Sequence, residues 1–151
     1  MTVKGAGFEV AGPANAGEIA EPDVAQAAEA ARTVFAGEPA FEAQIGLPAA
    51  FPEVVISEVW NVDRVTELNA RLMSAIPALP RYPFDGPLFL PHISIARFTS
   101  SDGLSRLKQV LGSMRDEAPG PALRVRRVDL VRAHLSARGT TFETIASYPL
   151  V

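Results

Sequence analysis

No cysteine occurs among the 151 residues. That absence excludes disulfides, thiol nucleophiles and thiolate metal sites. Histidine is nearly as scarce, with only His92 and His134. A zinc site would need carboxylates at matching spacing, and none are so placed, so no metal and no cofactor is expected. No window approaches the roughly 18 unbroken apolar residues of a membrane span. The N-terminus has no charged segment followed by an apolar one, so no secretory signal is read there and a cytoplasmic location is the default expectation. Neither sign of charge dominates. The net charge of −3 argues against strong non-specific nucleic-acid binding while leaving room for a local basic site. No glycine-rich phosphate loop runs into a helix, because the glycines of "KGAG" fall in a strand-like stretch. Gly-x-Ser-x-Gly is absent as well, and no Ser-His-Asp set can be assembled from spacing alone.

The residues that are present describe a mixed α+β chain. With 48% hydrophobic and 21% charged residues, the composition is that of an ordinary globular domain, of a size for one domain or two small lobes sharing a core. "TVKGAGFEV" starts the chain as a strand with glycine bends. "EPDVAQAAEAARTVFAG" is a helix, with Pro22 in the first turn, Asp23 near the N-terminus and Gly37 closing the end. "AFEAQIG" and the more β-branched "EVVISEVW" come next as strands. "NVDRVTELNARLMSAI" is an amphipathic helix with Val65, Leu68, Leu72 and Ile76 near one face. The proline-rich "PALPRYPFDGP" is a loop, followed by the strand "FLPHISIARF". "SDGLSRLKQVLGSMRDE" is a helix with Leu104, Leu107, Val110 or Leu111, and Met114 inward. "ALRVRRVDLVRAHL" is a strand with a bulge expected at Arg126-Arg127, and "TTFETIASYPL" is the last strand.

The chemistry points to "FLPHISIARF". Alternate side chains of a strand share a face. His92, Ser94, Ala96 and Phe98 are therefore expected on one side, and Ile93, Ile95 and Arg97 on the other. The imidazole and hydroxyl stand about 7 Å apart along the strand. That pairing suits proton transfer beside a bound anion, although a core histidine with a satisfied hydrogen bond has the same pattern. The order strand, helix, strand, strand runs from Thr2 to Trp60 and again from His92 to Leu150, which reads as an internal repeat. "TVKGAGF" then superposes on "SIARF", with Thr2 matching Ser94.

These residues resemble the two-histidine (2H) phosphoesterase superfamily, which includes the RNA 2′,3′-cyclic phosphodiesterases also called 2′-5′ RNA ligases. "PHISIARF" looks like that family's second His-x-Ser/Thr motif. "TVKGAGF" resembles the segment after the histidine of its first motif, and "VDLVRAHLSARGTTFETIASYPL" is similar to its closing strands. The resemblance implies a bilobal α+β fold with two antiparallel sheets, a pseudo-twofold repeat and helices on the outside. The expected division is a single domain over 1–151, with one lobe about 1–60, a connecting helix about 61–76 and a second lobe about 89–151. It also implies metal-free chemistry on a cyclic phosphate or a 2′-5′ linkage. One histidine is general base, the other protonates the leaving ribose oxygen, and the hydroxyls hold the phosphoryl oxygens. Histidine titrates near neutral pH, which suits both proton transfers.

Carried onto this chain, His92 is the catalytic acid/base, Ser94 its phosphate-binding partner and Thr2 the hydroxyl of the first motif. The register puts the first motif's histidine immediately before Met1. The chain is therefore expected to lack that histidine together with a lead-in strand and helix, and to be an impaired phosphodiesterase. A degenerate nucleotide- or phosphate-binding protein is the alternative. Lys4 is a further phosphate-binding candidate, with an exposed edge lysine as the plainer reading. His134, in "AHLSARG", also spells His-x-Ser, but its spacing from His92 does not fit the repeat. Arg97 is expected to face away unless a bulge turns it. A bulge could likewise turn one of Arg124, Arg126 and Arg127, or Arg132, toward the site. Phe8 and Phe98 come after the two motifs at matching places, for core packing or for stacking on a base. Tyr82 and Phe84 could cover the site. The expected partners are a phosphorylated small molecule, a nucleotide or an RNA end, with no membrane. An unpaired sheet edge would permit a homodimer.

Overall fold

The computed structural model describes residues 1–51, 54–61, 63–83, 85–98, 100–136 and 139–151. Helix α1 spans Glu21–Phe35. Its start is fixed by the Asp23 carboxylate, which accepts the Ala20 N–H at 2.8 Å, and by Pro22 in the first turn. Gly37 lies just past its end at φ 68°, a conformation glycine takes without strain. Val24, Ala27, Ala31, Val34 and Phe35 are its buried stripe. Helix α2, Asp63–Ala75, buries Val65, Leu68, Asn69 and Leu72. Helix α3, Leu104–Ser113, buries no residue fully. Leu104, Leu107, Leu111 and Met114 are half-buried while Val110 is exposed, so Leu111 is the residue that continues the inward stripe.

Four strands form one antiparallel sheet, in the order β5-β4-β3-β6. They are β3, Phe41–Ala50, β4, Val54–Trp60, β5, His92–Arg97, and β6, Ala122–Val125. β3 runs past the expected end and includes Pro48, which the ladder tolerates because a bulge lies between Ile45 and Pro48. The hairpin of β7, Arg127–Ser136, and β8, Gly139–Pro149, is a separate antiparallel pair. The long strand expected over 122–135 is therefore two strands. Arg126 is the joint at which the chain leaves the large sheet, and its carbonyl accepts the Leu150 N–H at 2.8 Å.

The N-terminal strand is the main correction to the fold. Only Phe8–Glu9 is a strand, β1, and it pairs in parallel with β2, Glu18–Ile19. Thr2 to Gly7 join no ladder. Glycine at positions 5 and 7 weakens strand propensity there, and Gly7 sits at φ 130°. After the first motif segment come α1, β3 and β4, and after β5 come α3, β6, β7 and β8.

The core joins α1, α2 and β8. Val24, Ala27, Ala31, Val34 and Phe35 pack with Leu68, Leu72, Ile76, Leu79, Tyr148 and Leu150. Burying each of the larger side chains contributes about 1.5–3 kcal/mol. Tyr148 lies tilted on Phe35, with ring centroids 5.3 Å apart, and its hydroxyl donates to the Ala28 carbonyl at 2.9 Å. Beside this core the buried Glu38 carboxylate is held between the guanidiniums of Arg64 and Arg71. Arg71 also donates to the Val34 carbonyl at 2.5 Å, which ties α1 to α2. No described helix is long and apolar enough to cross a membrane.

Candidate active site

β5 places the motif. His92 lies opposite Glu58, Ile93 opposite Ser57 and Ser94 opposite Ile56. Directly opposed residues of an antiparallel pair share a face. His92 and Ser94 thus stand with Glu58 and Ile56, as the alternation predicts. The ladder then slips, because Ala96 pairs with Val55 and Arg97 with Val54. Ile95 is the extra residue of a bulge, and beyond it the faces exchange. Arg97 comes round to the side of His92 and Ser94, and Ala96 turns away. This reverses the expectation from simple alternation for both residues.

The His92 ring is fixed at one nitrogen. Nδ1 lies 2.9 Å from the Leu90 carbonyl oxygen. A carbonyl only accepts, so Nδ1 carries a hydrogen, and in the neutral ring Nε2 keeps the lone pair. The Phe51 ring meets the imidazole edge-on, with centroids 5.5 Å apart. His92 is half-buried and Ser94 exposed, so the ring is not enclosed in hydrocarbon. A fixed imidazole with a basic nitrogen, a hydroxyl two residues on and a guanidinium on the same face can bind an oxyanion and take up a proton.

The first-motif segment is placed by side chains instead of a ladder. Lys4 does not present its ammonium to solvent. It donates to Asp85 Oδ2 at 2.5 Å and to the Pro80 carbonyl at 2.6 Å, and lies 4.7 Å from the centre of the Tyr82 ring. The Lys4 and Asp85 side chains are only 5% and 7% exposed. The phosphate-binding reading of Lys4 therefore gives way to a buried ion pair. The Asn69 amide donates to the Val3 carbonyl at 2.8 Å and to Asp85 Oδ1 at 3.3 Å, and its Oδ1 accepts the Gly86 N–H at 3.1 Å. Burial pushes the Asp85 carboxyl up. The bonds from Lys4, the Tyr82 N–H and Asn69 outweigh it and hold the group below its ordinary value. This knot fastens residues 3 and 4 to the loop that leads into β5. Thr2 is exposed, and among the described residues no ladder joins it to β5.

The other candidates fall elsewhere. His134 Nε2 lies 3.1 Å from Glu143, which also accepts from Arg132 at 3.3 Å. Arg132 in turn grips Glu9 at 2.7 and 3.0 Å. The bond from His134, with those from Arg132, holds the Glu143 carboxyl below its usual range. These partners all sit on β1, β7 and β8. Arg124 lies opposite Glu42 at the β3–β6 edge, and Arg127 pairs with Asp129. Phe8 is 66% exposed, which rules out the core role, while Phe98 is half-buried. Tyr82 belongs to the Lys4 knot, and Phe84 lies outside the described residues. Among the described residues no group of three or more His, Asp or Glu is arranged to hold a metal ion. A groove between α1 and α2, lined by Val34, Glu67, Arg71 and Ser74 among others, contains none of the motif residues.

Sequence reasoning missed Asn69, Asp85, Glu58 and Trp60. Asn69 interrupts the apolar stripe Val65, Leu68, Leu72, and that polar position on a buried helix face was its signal. Glu58 and Trp60 share a strand face by period two, and only the pairing of β4 with β5 sets that face beside His92.

Among the described residues an edge strand carries His-x-Ser in an antiparallel sheet, accompanied by three α-helices and a closing hairpin, which is an α+β fold. Residues 2–137 match the family model of the 2′-5′ RNA ligase superfamily, and the chain belongs to that superfamily of two-histidine phosphoesterases. Among solved structures, it is similar to the crystal structure of TT0787 of Thermus thermophilus. The TM-score is 0.62 at 19% identity, over 89% of this chain and 73% of that one, a likeness of fold. The comparison with curated proteins found no match.

Proposed function

We propose that the chain acts on a 2′,3′-cyclic phosphate or a 2′-5′ linkage of RNA or a nucleotide through acid/base chemistry at His92. The observation that carries this reading is the hydrogen bond from His92 Nδ1 to the Leu90 carbonyl. It leaves Nε2 ready to accept a proton from a water attacking phosphorus, while the bond from phosphorus to one ribose oxygen breaks and that oxygen takes its proton from solvent. The hydroxyl of Ser94 and the guanidinium of Arg97 hold the phosphoryl oxygens on the same face. Thr2 supplies a further hydroxyl from the first-motif segment. The bilobal division, with units about 1–60 and 89–151 joined by 61–76, belongs to this proposal.

With one motif histidine, this 151-residue chain turns over slowly, because a missing acid/base partner removes about two to four orders of magnitude. The same scarcity of histidine favours the second reading, a nucleotide- or phosphate-binding protein without turnover. Hydrolysis of 2′,3′-cyclic AMP by the wild-type chain and by His92→Ala separates them. The enzyme reading expects slow turnover that falls a further ~10²–10⁴-fold in His92→Ala, or to the uncatalysed rate. Saturable binding with no turnover in either protein selects the binder. Turnover indifferent to His92→Ala overturns the site.

A further inference from the structure

The face of the large sheet that carries His92 continues past Glu58 to Trp60, the only tryptophan in the chain. Trp60 is next but one to Glu58 on β4, and Glu58 lies opposite His92. By strand rise and strand spacing, the Cα atoms of Trp60 and His92 are about 8 Å apart. Trp60 is 37% exposed, and its indole is held in place from two sides. Its Nε1 donates to Glu58 Oε2 at 2.9 Å. Beneath it the chain has Gly46, where a Cβ would come within 2.7 Å of Nε1 and 2.8 Å of Cε2. Any larger residue there would lift the ring from β3. An exposed aromatic ring that is oriented by a carboxylate and admitted by a glycine is a pre-organised surface, with little entropy left to lose on stacking.

The groups on this face run in one direction. Trp60 is at one end, Glu58 and His92 come next, then Ser94, then Arg97. A nucleotide has the same polarity, with a neutral aromatic base, a hydroxylated ribose and an anionic phosphate. Its phosphate at Ser94 and Arg97 would put the ribose over Glu58 and the base at Trp60. The carboxylate then faces the ribose and not the phosphoryl oxygens, which it would repel. We propose that Trp60 is the platform on which the nucleobase stacks, with Glu58 as the positioning residue that fixes the indole. This rests on the nucleotide reading of the His92 site and assigns it a base-binding subsite.

Because Trp60 is the only tryptophan, its fluorescence reports the subsite directly. Titration with 2′,3′-cyclic AMP is expected to change the emission saturably. Methyl ribofuranoside 2′,3′-cyclic phosphate, which has no base, is expected to bind by calorimetry and leave the emission unchanged. Trp60→Ala should weaken 2′,3′-cyclic AMP about 5- to 150-fold and bring the preference for the base-bearing ligand close to one. Trp60→Phe should keep part of that preference. Gly46→Ala should reduce it with the indole still present. Glu58→Gln, which keeps an acceptor, should retain it where Glu58→Ala does not. A Trp60→Ala chain that still prefers 2′,3′-cyclic AMP to the base-free ligand would overturn the platform while the phosphate site stands. Failure of both ligands to bind the wild-type chain would overturn the nucleotide reading, and the platform with it.

Discussion

The two motif segments reach their places by opposite means. β5 is held by backbone ladder bonds to β4, and its register alone decides which side chains meet. Residues 2–7 have no ladder, and the buried Lys4–Asp85 pair with Asn69 holds them. A ladder distributes its hold over many weak, equivalent bonds and tolerates side-chain change. A buried ion pair concentrates it in a few groups whose loss leaves a charge without compensation. Substitutions should therefore separate the two segments.

The largest effect is expected at Lys4. Lys4→Met strands the Asp85 carboxylate and should cost about 3–5 kcal/mol in urea unfolding. The double variant Lys4→Met with Asp85→Leu should recover much of that loss, because no buried charge remains unpaired. Next comes Asn69→Ala, at about 1–3 kcal/mol for each partner left unpaired, among them the Val3 carbonyl and the Gly86 N–H. Neither change should disturb protection of the β5 amides in hydrogen exchange short of global unfolding.

Acid should loosen the N-terminal segment before β5. The Asp85 carboxyl sits below its ordinary value, since bonds from Lys4, Tyr82 and Asn69 outweigh the burial that pushes it up. A depressed folded pKa gives stability that is present above the unfolded value, about 3.9, and lost as pH falls through the folded one. The amides of Tyr82 and Gly86, which donate to Asp85 and Asn69, should lose protection in that acid range while the β5 amides bonded to β4 keep theirs. Protection lost equally in both segments would remove the distinction. The smallest effect is expected on the hairpin. Glu143→Gln weakens an exposed network with His134 and Arg132, and should change stability by no more than about 1 kcal/mol.

Much of this was legible in the sequence, for physical reasons. Local periodicity gave α1, α2, α3 and the strands about His92, because helix and strand periods act within a few residues. The His-x-Ser pairing on one face survives in β5 for the same reason. Arg97 was misplaced because a bulge at Ile95 leaves no local mark in "HISIARF". It arises from pairing with β4, about forty residues away. The Lys4 partner was illegible too, since Asp85 is distant in sequence and meets Lys4 only once the proline-rich loop folds back over α2. Arg126 announced an irregularity through its broken alternation. That this was a change of sheet and not a bulge depended on the hairpin closing β7 against β8.

The tautomer of His92 is the point on which the chemistry turns. Long-range ¹H–¹⁵N NMR of the imidazole, with and without 2′,3′-cyclic AMP, observes it directly. We expect hydrogen on Nδ1, a lone pair on Nε2, and an Nε2 resonance that moves when the nucleotide is added. A ring protonated on Nε2 alone, with a spectrum indifferent to the nucleotide, would contradict the assignment.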